Sequence, residues 1–104
     1  MLDLGSLYNI VENKKDKIVI NLASKSHPIF QAHFPNNHIL PGFCHIEIVS
    51  RVLKDNIKKI DSMKLQQKVL PEHLITYEIQ TKDNKRKIKI LDDKQIIGKL
   101  QYEY

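Results

Sequence analysis

Residues 41–59 read PGFCHIEIVSRVLKDNIKK. Pro41 fits the first residue of a helix, where its missing N–H leaves no bond unmade. Phe43, Ile46, Ile48, Val49, Val52 and Leu53 then cover a wide apolar face. That breadth predicts a helix buried on most of its sides rather than one lying on a surface. The β-branched pair Ile48-Val49 lowers intrinsic helix propensity, so packing has to supply much of its stability.

The flanking sequence supplies what would cover such a helix. Residues 17–23, KIVINLA, alternate as a half-buried strand. Residues 24–40 hold Ser, His, Pro and Asn and read as a long loop, with Pro28 and Pro35 against regular structure. After the helix, residues 60–70 and LITYEIQT (74–81) read as strands. DNK (83–85) reads as a turn, RKIKIL (86–91) as a strand, DDK (92–94) as a turn and QIIGKLQYEY (95–104) as a strand. Turns this short imply antiparallel hairpins. The expected architecture is α+β: one central helix wrapped by a curved antiparallel sheet, with all of residues 1–104 in a single domain. The edge strands of such a sheet can pair with a second copy across a two-fold axis.

Composition narrows the functional classes. The chain has 104 residues, 41% apolar and 28% charged, with no Trp and a single Cys. One Cys excludes an internal disulfide framework. No apolar run approaches the roughly 18 residues that span a bilayer, and the N-terminal stretch lacks the pattern of a signal peptide. A cytoplasmic protein with no membrane role is expected. The net charge of +5 fits a solvated lysine-rich surface, or attraction to an acidic partner. The lysines are dispersed and no nucleic-acid motif is present, so nucleic acid is not an expected partner.

The segment His33–Glu47, HFPNNHILPGFCHIE, concentrates the reactive side chains. A metal site is not expected. His33 and His38 sit in the loop, Cys44 and His45 point about 100° apart on a helix, and no spacing gathers four ligands. His38 and His45 are expected at a surface or interface, and Cys44 as a small buried apolar group. Cys44 as a nucleophile in a helix's first turn is a weaker alternative. The acid–base reading uses His33 and Glu47. Imidazole takes protons near neutral pH, and a carboxyl group in an apolar setting donates one. Between them Gly42 opens the helix, where the first amides lack intrahelical acceptors and can meet a carbonyl oxygen. That set suits removal of a proton next to a carbonyl with loss of a β-hydroxyl. A loop histidine bonded to backbone and a solvated helix glutamate would fit the same residues.

The longer stretch HPIFQAHFPNNHILPGFCHIEIVSR (27–51) resembles the β-hydroxyacyl-[acyl-carrier-protein] dehydratases of bacterial fatty-acid synthesis, which have the hotdog fold. Their pattern, approximately HPFFxGHFPxxPxxPGVLxxEAxAQ, aligns without a gap. It matches His27-Pro28, Phe30, His33-Phe34-Pro35, Pro41-Gly42 and Glu47. KIDSMKLQQKVLPEHLI (59–75) continues the likeness, and beyond it only the general strand pattern agrees. The resemblance implies a 3-hydroxyacyl thioester dehydratase working as a homodimer or a larger assembly of dimers. His33 would be the base, Glu47 from the other subunit would act on the hydroxyl, and the Gly42 amide would hold the thioester carbonyl. Phe34, Phe43 and Ile48 would line the acyl tunnel. No metal or organic cofactor is implied. The substrate would hang from phosphopantetheine on an acidic acyl-carrier protein.

Several positions depart from the pattern. Ala32 replaces a Gly, His38 a Pro, Ile48 a small Ala that borders the carboxylate, and Arg51 a Gln. Arg51 stands four residues after Glu47, in the order that favours an ion pair. Such a pair would hold Glu47 as a carboxylate and oppose an acid role; Arg51 turned outward would leave it free. The chain is also shorter than such dehydratases at its N-terminus, so a segment covering the tunnel is expected to be absent. In this it resembles the compact dehydratases of specialised acyl or aryl-polyene pathways. A thioesterase on the same fold and a non-catalytic carrier-binding subunit are the competing readings.

Overall fold

The computed structural model describes residues 5–32 and 40–104. The elements are β1 (Tyr8–Lys14), β2 (Lys17–Leu22), α1 (Pro28–Ala32), α2 (Phe43–Leu53), β3 (Lys59–Leu65), β4 (Leu74–Lys82), β5 (Lys85–Asp92) and β6 (Gln95–Glu103). The strands form one antiparallel sheet in the order β1-β2-β4-β5-β6-β3. Buried residues of α2 share one core with the inward residues of the strands. This is the α+β hotdog arrangement expected from the sequence.

The three C-terminal strands form where alternation predicts them. Ile75, Tyr77 and Ile79 of β4 and Ile88 and Ile90 of β5 face the core, while Lys87 and Lys89 point to solvent. Each buried aliphatic side chain contributes about 1.5–3 kcal/mol. The β5–β6 turn centres on Asp93 and Lys94, whose φ values of 49° and 70° suit the twist of a two-residue hairpin.

The strand read over residues 60–70 ends at Leu65, and three further features differ from the sequence reading. Residues 8–14 form a strand although no alternation marks them. Ile10 and Val11 are exposed on an edge strand held by its ladder to β2. Pro28, taken as a breaker, opens the short helix α1 at the position where proline is tolerated. The His27 ring supports that turn: Nδ1 accepts from the Ile29 amide at 3.0 Å, and Nε2 pairs with Ser6 Oγ at 2.9 Å.

The third difference is the extent of α2. It ends at Leu53 rather than running to residue 59. Lys54 adopts the left-handed conformation, with φ of 59°. Its amide bonds Arg51 O, and the Asp55 amide bonds Ser50 O, the paired bonds of a Schellman stop. Glycine is the usual occupant there, so a lysine hides the boundary. The helix is also buried on one side only, through Cys44, His45, Ile48 and Val49. Phe43, Glu47 and Arg51 face outward.

Beyond the helix, Asp55 is clamped to the sheet. Arg86 Nε and a terminal nitrogen reach its two carboxylate oxygens at 2.8 Å each, and the Tyr102 hydroxyl donates to Oδ2. The Arg86 guanidinium lies 4.2 Å above the Tyr104 ring.

At the other edge, Leu65 of β3 lies between two glycines. A Cβ on Gly42 would stand 2.8 Å from Leu65 Cδ1, and one on Gly98 would stand 2.8 Å from Cδ2 and 2.7 Å from the Lys64 carbonyl oxygen. Gly98→Ala therefore has to push backbone aside and is expected to lose about 1–3 kcal/mol. Gly42→Ala meets only a movable side-chain tip there and is expected to lose less. Urea unfolding of the two variants checks the order, and equal midpoints would contradict it.

Candidate active site

His33 and Phe34, expected as base and tunnel residue, and His38 lie outside the described residues. The rest of the expected set is placed. Gly42 is the N-cap of α2. Its amide makes no hydrogen bond among the described residues, while its carbonyl accepts from the His45 amide at 3.1 Å. Glu47 is one turn beyond Phe43 on the same outward face. Phe43 is 49% exposed.

Glu47 and Arg51 make no ion pair with one another among the described residues. Arg51 instead lies near Tyr8 of β1. Burial raises the Tyr8 pKa, and the Arg51 charge partly opposes the rise. The intramolecular pair that would have fixed Glu47 as a carboxylate is therefore missing from the single chain.

Ile48 sits in the hydrophobic core with no exposed surface. It is on the sheet-facing side of α2, away from the face that carries Phe43 and Glu47. Cys44 is equally buried. Burial pushes its thiol pKa up to about 12, with a further contribution from the Glu47 charge, which leaves almost no thiolate at neutral pH. Cys44 packs, as the sequence suggested.

His45 corrects the sequence reading. Expected at a surface or interface, it is 0% exposed. Position 45 falls on the same helical side as Ile48 and Val49, at the i+3 and i+4 spacing that marks an inward face, and that spacing was the signal available in the sequence. Its Nδ1 lies 2.8 Å from the Tyr77 hydroxyl on β4, and the rings meet edge to face with centroids 5.8 Å apart. Burial pulls its pKa down to about 4, so the ring is neutral at pH 7.

Gly42 and His45 border a common cleft of about 620 Å³ with Leu40, Leu65, Gln66, Gln67, Lys68 and Val69. The cleft lies between the amino end of α2 and the segment leaving β3. Leu40 N bonds Val69 O at 2.8 Å and Gln66 N bonds Ile97 O at 2.7 Å, which fixes two of its walls. Among the described residues, no group of three or more His, Cys, Asp or Glu side chains is placed to hold a metal ion. None of the described helices is long and apolar enough to cross a membrane.

Comparison with known proteins follows the same outline. A family model described as ApeI-like, ApeI dehydratase, matches residues 10–98. A 3-hydroxyacyl-[acyl-carrier-protein] dehydratase FabZ of Ruminiclostridium cellulolyticum is 30% identical over 83 residues, covering 67% of this chain and 58% of the relative. The FabZ of Alkaliphilus metalliredigens is 30% identical over 101 residues, covering 85% of this chain and 69% of the relative. The chain thus spans less than two-thirds of the first relative's length. Among solved structures, the dehydratase heterocomplex ApeI:P from Xenorhabdus doucetiae superposes with a TM-score of 0.74 at 17% identity, over 92% of this chain and 96% of that one. That likeness concerns the fold, whereas the family match and the FabZ relatives concern the sequence itself. On the strength of these two, the chain belongs to the ApeI-like dehydratase family.

Proposed function

We propose that this chain is a thioester dehydratase. It would remove water from a 3-hydroxyacyl group carried on the phosphopantetheine of an acyl-carrier protein, giving a trans-2-enoyl product. The observation that carries this reading is the amino end of α2. It brings the Gly42 amide to a cleft and leaves Phe43 and Glu47 on an uncovered face. The named relatives support the reaction class.

In this reading the imidazole of His33 takes a proton from C2. The electron pair of that C–H bond becomes the C2=C3 double bond, and the C3–O bond breaks. Glu47 gives its proton to the departing hydroxyl, which leaves as water. The Gly42 amide holds the thioester oxygen while negative charge builds on it, a contribution typically worth about 10²–10³ in rate. These groups complete the proton transfers, so the elimination calls for neither metal nor organic cofactor.

A lone exposed Glu47 has no apolar setting. A second copy laid over Phe43 and Glu47 would provide one, and β3 leaves a free edge in the described sheet for such pairing. We therefore assign the site to a homodimer, or an assembly of dimers, with His33 and Glu47 from different subunits. The partner carrier is acidic and suits the net charge of +5, and the setting is the cytoplasm.

Mass spectrometry of 3-hydroxyacyl-carrier proteins of graded chain length tests the reading. A product lighter by one water is expected. Release of free acid would select a thioesterase, and carrier binding without turnover at any length would select a non-catalytic subunit.

A further inference from the structure

The His45–Tyr77 contact leaves one ring nitrogen unaccounted for. His45 Nε2 is buried and has no hydrogen-bond partner. A buried polar atom left in that state opposes folding, so its retention calls for an explanation.

The shared bond indicates which kind of group is stranded. Both partners are neutral at pH 7: burial lowers the His45 pKa and raises that of Tyr77. If Nδ1–H donated to Tyr77, the hydroxyl proton and the Nε2 lone pair would both be unmet. If the Tyr77 hydroxyl donates to Nδ1, only Nε2–H is unmet. The second arrangement strands fewer groups, so the network assigns the proton to Nε2. The stranded group is a donor.

Its position gives it a use. Helix side chains lean toward the N-terminus of their helix and cover the preceding turn. His45 follows Gly42 by three residues, and both border the cleft. Two N–H groups without acceptors among the described residues thus belong to one small region at the start of α2. We propose that His45 Nε2–H is a second donor to the substrate oxygen bound at the Gly42 amide, with Tyr77 fixing the tautomer that makes it one. This rests on the dehydratase reading for the identity of the oxygen, a thioester carbonyl. The existence of a buried donor without an acceptor, on a residue that borders the cleft, does not.

Two measurements on the purified full chain test it. His45→Leu replaces the ring by an apolar side chain; it removes the stranded Nε2–H and leaves the Tyr77 hydroxyl without its acceptor. The variant is expected to fold with a modestly lower Tm, because the Tyr77 hydroxyl loses its partner, while kcat falls about 10²-fold or more and KM changes little. A folded variant whose kcat stays within about threefold of the parent would overturn the proposal, because an oxyanion donor should be worth far more. The second measurement needs neither turnover nor a variant. The imidazole nitrogens of the parent chain are followed by NMR during titration with 3-hydroxyhexanoyl-pantetheine amide, in which nitrogen replaces the thioester sulfur. The protonated Nε2 resonance is expected to shift on saturation; an unmoved resonance at saturation would overturn the proposal. If that resonance shifts in a protein that dehydrates no 3-hydroxyacyl carrier, the dehydratase reading fails and the donor site stands.

Discussion

Glu47→Gln is expected to fold normally and to eliminate water about 10²–10⁴-fold more slowly than the parent chain, the range lost when a positioned proton donor is removed. Glutamine keeps the size and polarity of the side chain but has no carboxyl proton to give. The residue is exposed on α2 and takes part in none of the described ion pairs, so the change should leave the thermal midpoint within a degree or two. His33→Ala should show a similar loss. Mixing the two inactive variants tests the shared site directly. Exchange of subunits assembles some pairs with one intact His33 and one intact Glu47, and part of the rate should return. Recovery of nothing after verified exchange would place both groups in one chain.

Asp55→Ala is expected to remove about 3–5 kcal/mol of stability, the cost of stripping one partner from a buried ion pair. The Asp55 side chain is 4% exposed and that of Arg86 13%, so the change leaves a mostly covered guanidinium and the Tyr102 hydroxyl without the carboxylate that both bond. The loss should appear as a sharply lower urea midpoint with the slope unchanged. The same clamp has a pH signature. Burial alone would raise the Asp55 pKa, but the bonds from Arg86, and then from Tyr102, outweigh burial and hold it below the ordinary carboxylate value. A depressed carboxylate stabilises the fold above its unfolded value of about 3.9. That contribution fades as pH falls through the folded value. The parent chain should therefore lose stability below about pH 4, and Asp55→Asn should show a shallower acid limb. Identical acid limbs would remove Asp55 from the account.

How far these features could be read from the chain depended on whether one residue carried its own signal. Ile75, Tyr77, Ile79, Ile88 and Ile90 alternate with polar residues, and their strands stand where the alternation put them. The start of α2 was legible to within two residues: the helix opens at Phe43 behind Gly42 as N-cap, and not at Pro41. The strand at Tyr8–Lys14 was not, because Ile10 and Val11 are exposed and its order comes from pairing with β2. The end of α2 was hidden because a lysine holds a conformation usually given to glycine. At the site, Phe43 read as part of the buried apolar face, yet it stands outward one turn before Glu47. The inward turn of His45 was carried by its spacing to Ile48 and Val49, whereas its partner Tyr77, 32 residues away, was announced by no local pattern. The direction taken by Arg51 likewise depended on β1, an element the alternation did not reveal.

The seat of Leu65 between Gly42 and Gly98 has a mechanical result. The rim strand and the amino end of the helix meet through one leucine, whose two methyl tips each stand 2.8 Å from where a Cβ on the facing glycine would lie. A grip on that rim by another molecule would be relayed to the amide as a small displacement. Specific activity should then rise with protein concentration more steeply than the count of joined subunits alone requires.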